Sequence, residues 1–300
     1  MFKNAVVYQL GKLQADSADS LARLLETMTF QDPSSIQMSS EGWRAPHKGG
    51  GLVHSIGGQY LMEFAIAKKL LTAAAINEVV EARAEELEDQ QGFPPGRKQR
   101  KELKEQVIDE LLPKAFTVTK KIQVWIDPIN GWVAVDTSST SKAEAVIAAF
   151  YKCIPNFPIK SLRTMLPPSA AMTDWLARDE APEGFTVDQE AELRSPGEGK
   201  ATVKFLRHTL DVADMRKHIE EGKQCIRLAL TWADKISFIL TDALTIKRLA
   251  LLEVLKEGGE IGNDGTERAD SDFALMTGEL NKLFGSVIGA LGGAVPDDDA

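Results

Sequence analysis

Two consecutive prolines, Pro94 and Pro95, split the most strongly helical stretch of the chain. Upstream runs TAAAINEVVEARAEELEDQQ, acidic and helix-forming; downstream runs RKQRKELKEQVIDELLPKAF, basic and again helix-forming. Proline has no N–H to donate and clashes with the preceding turn, so one continuous helix is excluded. Each side carries a narrow apolar stripe: Ile76, Val80 and Leu87 on the first, and Leu103, Val107 and Leu111, flanked by Ile108 and Leu112, on the second. Two narrow stripes around a sharp break predict an αα-hairpin that folds back on itself as a protruding arm over residues 72–116.

Charge sharpens that expectation. Between Gly92 and Lys121 lie eight Lys/Arg (Arg97, Lys98, Arg100, Lys101, Lys104, Lys114, Lys120, Lys121) against four acids, a net of +4 in a chain whose overall charge is −9. Positive charge concentrated against the overall sign suits an anionic polymer. The plain alternative is a solvated helix with i,i+4 pairs Lys98–Glu102 and Lys101–Glu105, worth a few tenths of a kcal/mol each. For a nucleic acid the arm's charge must converge with other cations, and Lys204 and Arg207, beside the strand around Val203, are the candidates. Phosphate contacts carry no base information, so such binding is indifferent to sequence.

Around the arm the pattern is α+β. Phe2–Leu10 reads as a strand and residues 16–28 as a helix capped by Asp16 or Ser17. Residues 33–51 read as loop, followed by a hairpin over Leu52–Ile56 and Gln59–Ala67. After Pro113, Lys120–Ile126 and Trp132–Asp136 form a second hairpin across DPINGW. A helix over Ser141–Tyr151 packs on it through Ala145, Ile147, Ala148 and Phe150. A connection over 153–168 and a short helix, Ala171–Ala177, come next. Strands at Glu183–Glu192 and Ala201–Leu206 precede a helix over Asp211–Glu221. An antiparallel meander (Gln224–Trp232, Ile236–Thr241, Leu244–Leu251), a glycine-rich segment (253–269) and a final helix (Phe273–Leu291) complete the chain. The domain expectation is a central α+β unit (1–71 with 117–170), the arm (72–116) and an α+β base (171–300).

The sequence carries no recognisable catalytic set. There is no Walker loop, no dinucleotide-binding glycine motif, no H-E-x-x-H and no G-x-S-x-G elbow. His47, His54, His208 and His218 show no ligand spacing, and Cys153 and Cys225 read as buried thiols. No enzyme activity, metal or cofactor is expected. No apolar run approaches ~18 residues, and the N-terminus lacks the pattern of a signal peptide, so a cytoplasmic protein without a membrane span is expected. Phe116, between Lys114 and Lys120, is either plain core or an apolar knob at a subunit contact.

Many segments in order carry a resemblance: FKNAVVYQL, EGWRAP, GRKQRKELKEQVIDELLPKAF, WIDPINGWVAVDTSSTSKAE, MTDWL, APEGF, HIEEGKQCIRLALTW, ISFILTDALTIKRL and DFALMTGEL. Over almost its whole length the chain resembles the bacterial recombination-associated RdgC family. The resemblance implies a nucleoid-associated protein that binds double-stranded DNA, and single strands more weakly, without marked sequence preference. It also implies antiparallel sheets with packed helices in a curved protomer. Two protomers close into a homodimeric ring around duplex DNA, restraining RecA-promoted strand exchange. By position, Arg97, Lys98, Arg100 and Lys101 match the family's basic run. With Lys104, Lys120, Lys121, Lys204 and Arg207 they make up the expected DNA-binding set. Phe116 matches the aromatic of LLPRAF, with Lys114 replacing the usual Arg, at a dimer contact. Where the family carries Lys and Gln at the gate between protomers, this chain reads Phe205-Leu206-Arg207-His208, so Arg207 and His208 are the expected second contact. A protein-docking module using the same arm is the competing reading.

Overall fold

The computed structural model describes residues 2–15, 17–197, 199–207, 210–252 and 265–296, excluding the side chains of 265–268. The chain is α+β, built on one large antiparallel sheet. In chain order the strands are β1 (Ala5–Leu10), β2 (Ser39–Arg44), β3 (His54–Ile56), β4 (Gln59–Lys69), β5 (Thr117–Asp127), β6 (Trp132–Val135), β7 (Ile159–Ser161), β8 (Phe185–Arg194), β9 (Thr202–Leu206), β10 (Gln224–Trp232), β11 (Ile236–Thr241) and β12 (Thr245–Leu251). The helices are α1 (Ala18–Leu25), α2 (Ala73–Gln91), α3 (Arg97–Leu111), α4 (Thr140–Cys153), α5 (Pro168–Arg178), α6 (Val212–Glu220) and α7 (Gly265–Ala290). The sheet order is β2-β4-β5-β6-β1-β12-β11-β10-β8-β9, with β3 beside β4 and β7 beside β1.

β1 is the joint. It pairs with β6 from Val6↔Val135 to Gln9↔Trp132 and with β12 at Ala5↔Ile246 and Val6↔Thr245. Successive strand residues point to opposite faces, so β1 serves two cores at once. Val6 joins Met62, Phe64, Val124 and Val135 beneath Leu21 and Leu25 of α1 and Val146 and Phe150 of α4. Ala5 and Val7 join Trp125, Ala134 and the β10–β12 meander on the other face, covered by Met172 of α5 and by Leu280, Phe284 and Val287 of α7. Each fully buried Leu, Phe or Val contributes roughly 1.5–3 kcal/mol relative to exposure.

Most expected elements form, with boundary shifts and three corrections. The first is that the stretch read as a connection over 153–168 contains β7, paired with β1 from Tyr8↔Ser161 to Leu10↔Ile159. Ser17 caps α1 in a reciprocal box with Ser20, while Asp16 lies outside the described residues. The stretch read as loop contains β2, paired with β4 from Ser39↔Lys68 to Arg44↔Glu63. Its SSEG residues have little strand propensity. What holds it is Trp43, fully buried with its ring centroid 5.0 Å from Phe64 and 4.5 Å from Phe150. On α4 the buried face is Ala143, Val146, Ala149, Phe150 and Cys153, whereas Ala145 and Ile147 are only half-buried and Ala148 is exposed. The helix is rotated relative to the expected face, because alanines on several sides leave its phase ambiguous.

Asp211 caps α6, its carboxylate accepting from Ala213 N at 2.9 Å and Asp214 N at 3.2 Å. Of the glycine-rich segment, residues 253–264 lie outside the described residues, and α7 begins earlier than expected, at Gly265. Among the described residues, no helix is long and apolar enough to cross a membrane.

Candidate nucleic-acid interface

The two helices around the proline break form as expected. Thr72 caps α2, its hydroxyl accepting from Ala75 N at 3.2 Å, and Gly92 ends it in the left-handed region at φ 82°. Only glycine takes that turn freely. Gly96 N donates to Gln99 Oε1 at 2.9 Å, and Gln99 Nε2 donates to Gln91 Oε1 at 3.1 Å, tying the start of α3 to the end of α2. Ile76, Val80 and Val107 form a small apolar cluster of their own, with Leu103, Ile108 and Leu111 packed on it. Leu87 is half-buried, and Ala84 takes the next buried position on α2.

The basic residues divide by how their charge is used. Arg100 reaches across to Glu81 of α2 at 2.9 Å, and Arg83 of α2 reaches back to Glu110. Lys98–Glu102 and Lys101–Glu105 are loose i,i+4 pairs at 3.9 and 3.7 Å, and Lys114 sits 3.5 Å from Glu110. Exposed pairs at such distances add little stability. Arg83 beside Glu110 holds that carboxyl below its usual range, with Lys114 adding to the effect. Arg97, Lys104, Lys120 and Lys121 are exposed, and none has an ion-pair partner among the described residues.

The expected set does not form one patch. Lys120 pairs with Ile66 and Lys121 with Ala65 on β4, so these neighbours point to opposite faces. Lys204 lies on β9, at the far end of the sheet order, 3.5 Å from Glu192. Seven strand spacings separate β5 from β9, on the order of 30 Å. Arg207 follows β9 with φ 53° and is exposed. His208 lies outside the described residues.

Phe116 is 83% exposed, so the core reading does not hold. Its carbonyl accepts from Leu70 N at 2.7 Å, and Lys69 N donates to Met38 O at 2.9 Å. These bonds gather exposed Leu70, Met38 and Val118 near it. Composition alone hid this patch, because its members come from three separated segments.

The histidines also changed company. The rings of His47 and His54 lie edge to face at 4.8 Å, and His54 Nε2 is 2.8 Å from Asp270 of α7. The seven-residue separation of His47 and His54 in the sequence gives no sign of this contact. Among the described residues, no three His, Cys, Asp or Glu side chains come together so as to hold a metal ion.

Comparison with known proteins covers the whole site. A family model described as "Putative exonuclease, RdgC" matches residues 1–294. A protein of Janthinobacterium sp. (strain Marseille) named "Recombination-associated protein RdgC" is 51% identical over 295 residues, covering 98% of each chain. Proteins of the same name from Herminiimonas arsenicoxydans and Bordetella pertussis are 50% and 46% identical over 293 residues, covering 97% of this chain and 98% of theirs.

Proposed function

Because the chain belongs to the RdgC family of recombination-associated proteins, we propose that it binds duplex DNA through phosphate contacts, without sequence preference, as a homodimeric ring. The observation that carries this reading is the set of exposed cations without partners among the described residues, Arg97, Lys104 and one of the neighbours Lys120 and Lys121, which take opposite faces, in a chain of net charge −9. Lys98, Arg100, Lys101, Lys204 and Arg207 complete the contact set. Cations some 30 Å apart suit an extended ligand: roughly nine base pairs at 3.4 Å each span that distance. An acidic remainder discourages stray stacking on DNA.

On this reading residues 72–116 are a projecting helical arm, 1–71 with 117–170 the central unit, and 171–300 the base. Phe116 and Lys114 supply one dimer contact, and Arg207 with His208 the other. The protein is cytoplasmic and nucleoid-associated, binds single strands more weakly, and opposes RecA by occupying duplex DNA.

The test is duplex binding titrated against salt, with the dimer confirmed by light scattering. Affinity should fall by roughly 0.9 log units per tenfold salt for each phosphate neutralised. A flat response overturns the proposal. The exposed patch around Phe116 favours a second reading, in which the arm docks a protein and DNA binding is secondary. Reversing Arg97, Lys98, Arg100 and Lys101 to Glu separates the two: a sound dimer that loses DNA supports the first, and one that keeps it supports the second. The family description names an exonuclease, and that activity predicts release of nucleotides from labelled duplex, which the same preparation can be assayed for.

A further inference from the structure

Far from the helical pair, β8 carries a nearly buried carboxylate, Glu192, which is 7% exposed. It lies opposite Lys204 on β9 and opposite Arg227 on β10, with Arg194 two residues along the same strand. Cross-strand neighbours and i,i+2 residues share a face, so all four side chains converge. Arg194 Nη2 is 3.4 Å from Glu192 Oε1, and Lys204 Nζ and Arg227 Nη1 are each 3.5 Å from Oε2. One carboxylate therefore faces three cations, leaving two positive charges over.

The geometry also leaves those cations loosely held. Charge-assisted N–H···O⁻ bonds settle near 2.7–2.9 Å, and none of the three reaches that. Arg227 Nε is buried without any hydrogen-bond partner, a costly state for a charged group's donor. The next acids along β8 have partners of their own. Glu190 is taken by Arg248 at 2.7 Å, and Asp188 accepts from Thr231 Oγ1 at 2.9 Å. The opposite face of β8 packs Ala191 and Leu193 into the core, so the charged face lies away from it. The side chains of Arg194, Lys204 and Arg227 remain 42%, 55% and 33% exposed, so a ligand can reach the cluster.

We propose that Arg194, Lys204 and Arg227 form a phosphate-binding site on the β8–β10 face, with Glu192 as the positioning residue that gathers the cations and competes with the ligand for them. The inference rests on the DNA-binding reading and adds Arg194 and Arg227 as phosphate contacts.

The experiment compares wild type with Arg194→Gln/Arg227→Gln in the full-length protein, using a short duplex over a salt series. Loss of one phosphate contact should reduce the salt slope by about 0.9 and weaken binding about eightfold at 0.1 M salt. The charge-keeping Arg194→Lys/Arg227→Lys variant should retain the slope. Glu192→Gln should bind duplex more tightly, because the competing carboxylate is gone; it carries the test by itself if the double Gln variant does not fold. A folded double Gln variant with unchanged slope, or a Glu192→Gln variant that loses thermal stability while binding as wild type does, overturns the proposal. Inorganic phosphate, titrated by calorimetry, is the second arm. Uptake that depends on Arg194 and Arg227 while the duplex slope ignores them would assign the site to free phosphate and overturn its role on DNA. A flat wild-type salt response would instead sink the DNA-binding reading as a whole.

Discussion

Lys69 Nζ donates to the carbonyl of Leu112 at 3.0 Å, across the root of the helical pair. The same ammonium donates to Ser35 O at 2.9 Å, and Lys69 is only 5% exposed. A lysine at the end of β4 thus ties the chain leaving α3 to the segment before β2. Hydrogen bonds to a charged group contribute ~1.5–3 kcal/mol each. Lys69→Met should lower stability by about 2 kcal/mol or more in urea unfolding, because both carbonyls lose their donor. An unchanged midpoint would show that water replaces the ammonium there.

Phe116 is too exposed to hold the protomer together. Phe116→Ala should leave the melting curve of a dilute sample intact and weaken self-association by ~2 kcal/mol or more, read by light scattering across a dilution series. Unfolding of the variant, or a dimer that dissociates as wild type does, would remove Phe116 from the contact.

Gly42 explains how β2 can lie where it does. A Cβ built there would meet Met28 O and the backbone N and Cα of Phe30, each at 2.7 Å. Those atoms are backbone, and Phe30 N donates to Trp43 O at 2.7 Å. Gly42→Ala should therefore cost about 1–3 kcal/mol, seen as a lower melting temperature. A neutral result would mean that the segment from Met28 to Phe30 moves aside freely.

Glu279 on α7 predicts a pH dependence. Lys282, 2.7 Å away, holds its carboxyl below the usual carboxylate range, burial opposes this, and Lys235 at 3.5 Å assists. A folded-state value below the unfolded one means stability that is present above the ordinary carboxylate pKa and lost as pH falls through the lowered value. Glu279→Gln should melt below wild type at neutral pH, and the gap should close in acid. A gap that persists at the lowest pH would assign the effect to packing.

Part of this protein was determined by its sequence alone. Pro94 and Pro95 forbid one helix whatever surrounds them, and period-3.6 and period-2 patterns marked α2, α3, β1 and the β10–β12 meander, because these signals are local. The basic run and the family were likewise legible in residue order. Tertiary structure decided the rest. β2 exists because β4 supplies its register and Trp43 its anchor, neither of which shows in SSEG. The buried face of α4 depended on which stripe met the sheet. Lys120 and Lys121 parted to opposite faces through strand alternation, while Arg194, Lys204 and Arg227 came together around Glu192 through the pairing of three strands. Which charges meet depends on contacts distant in the chain, and residue order does not encode those one position at a time.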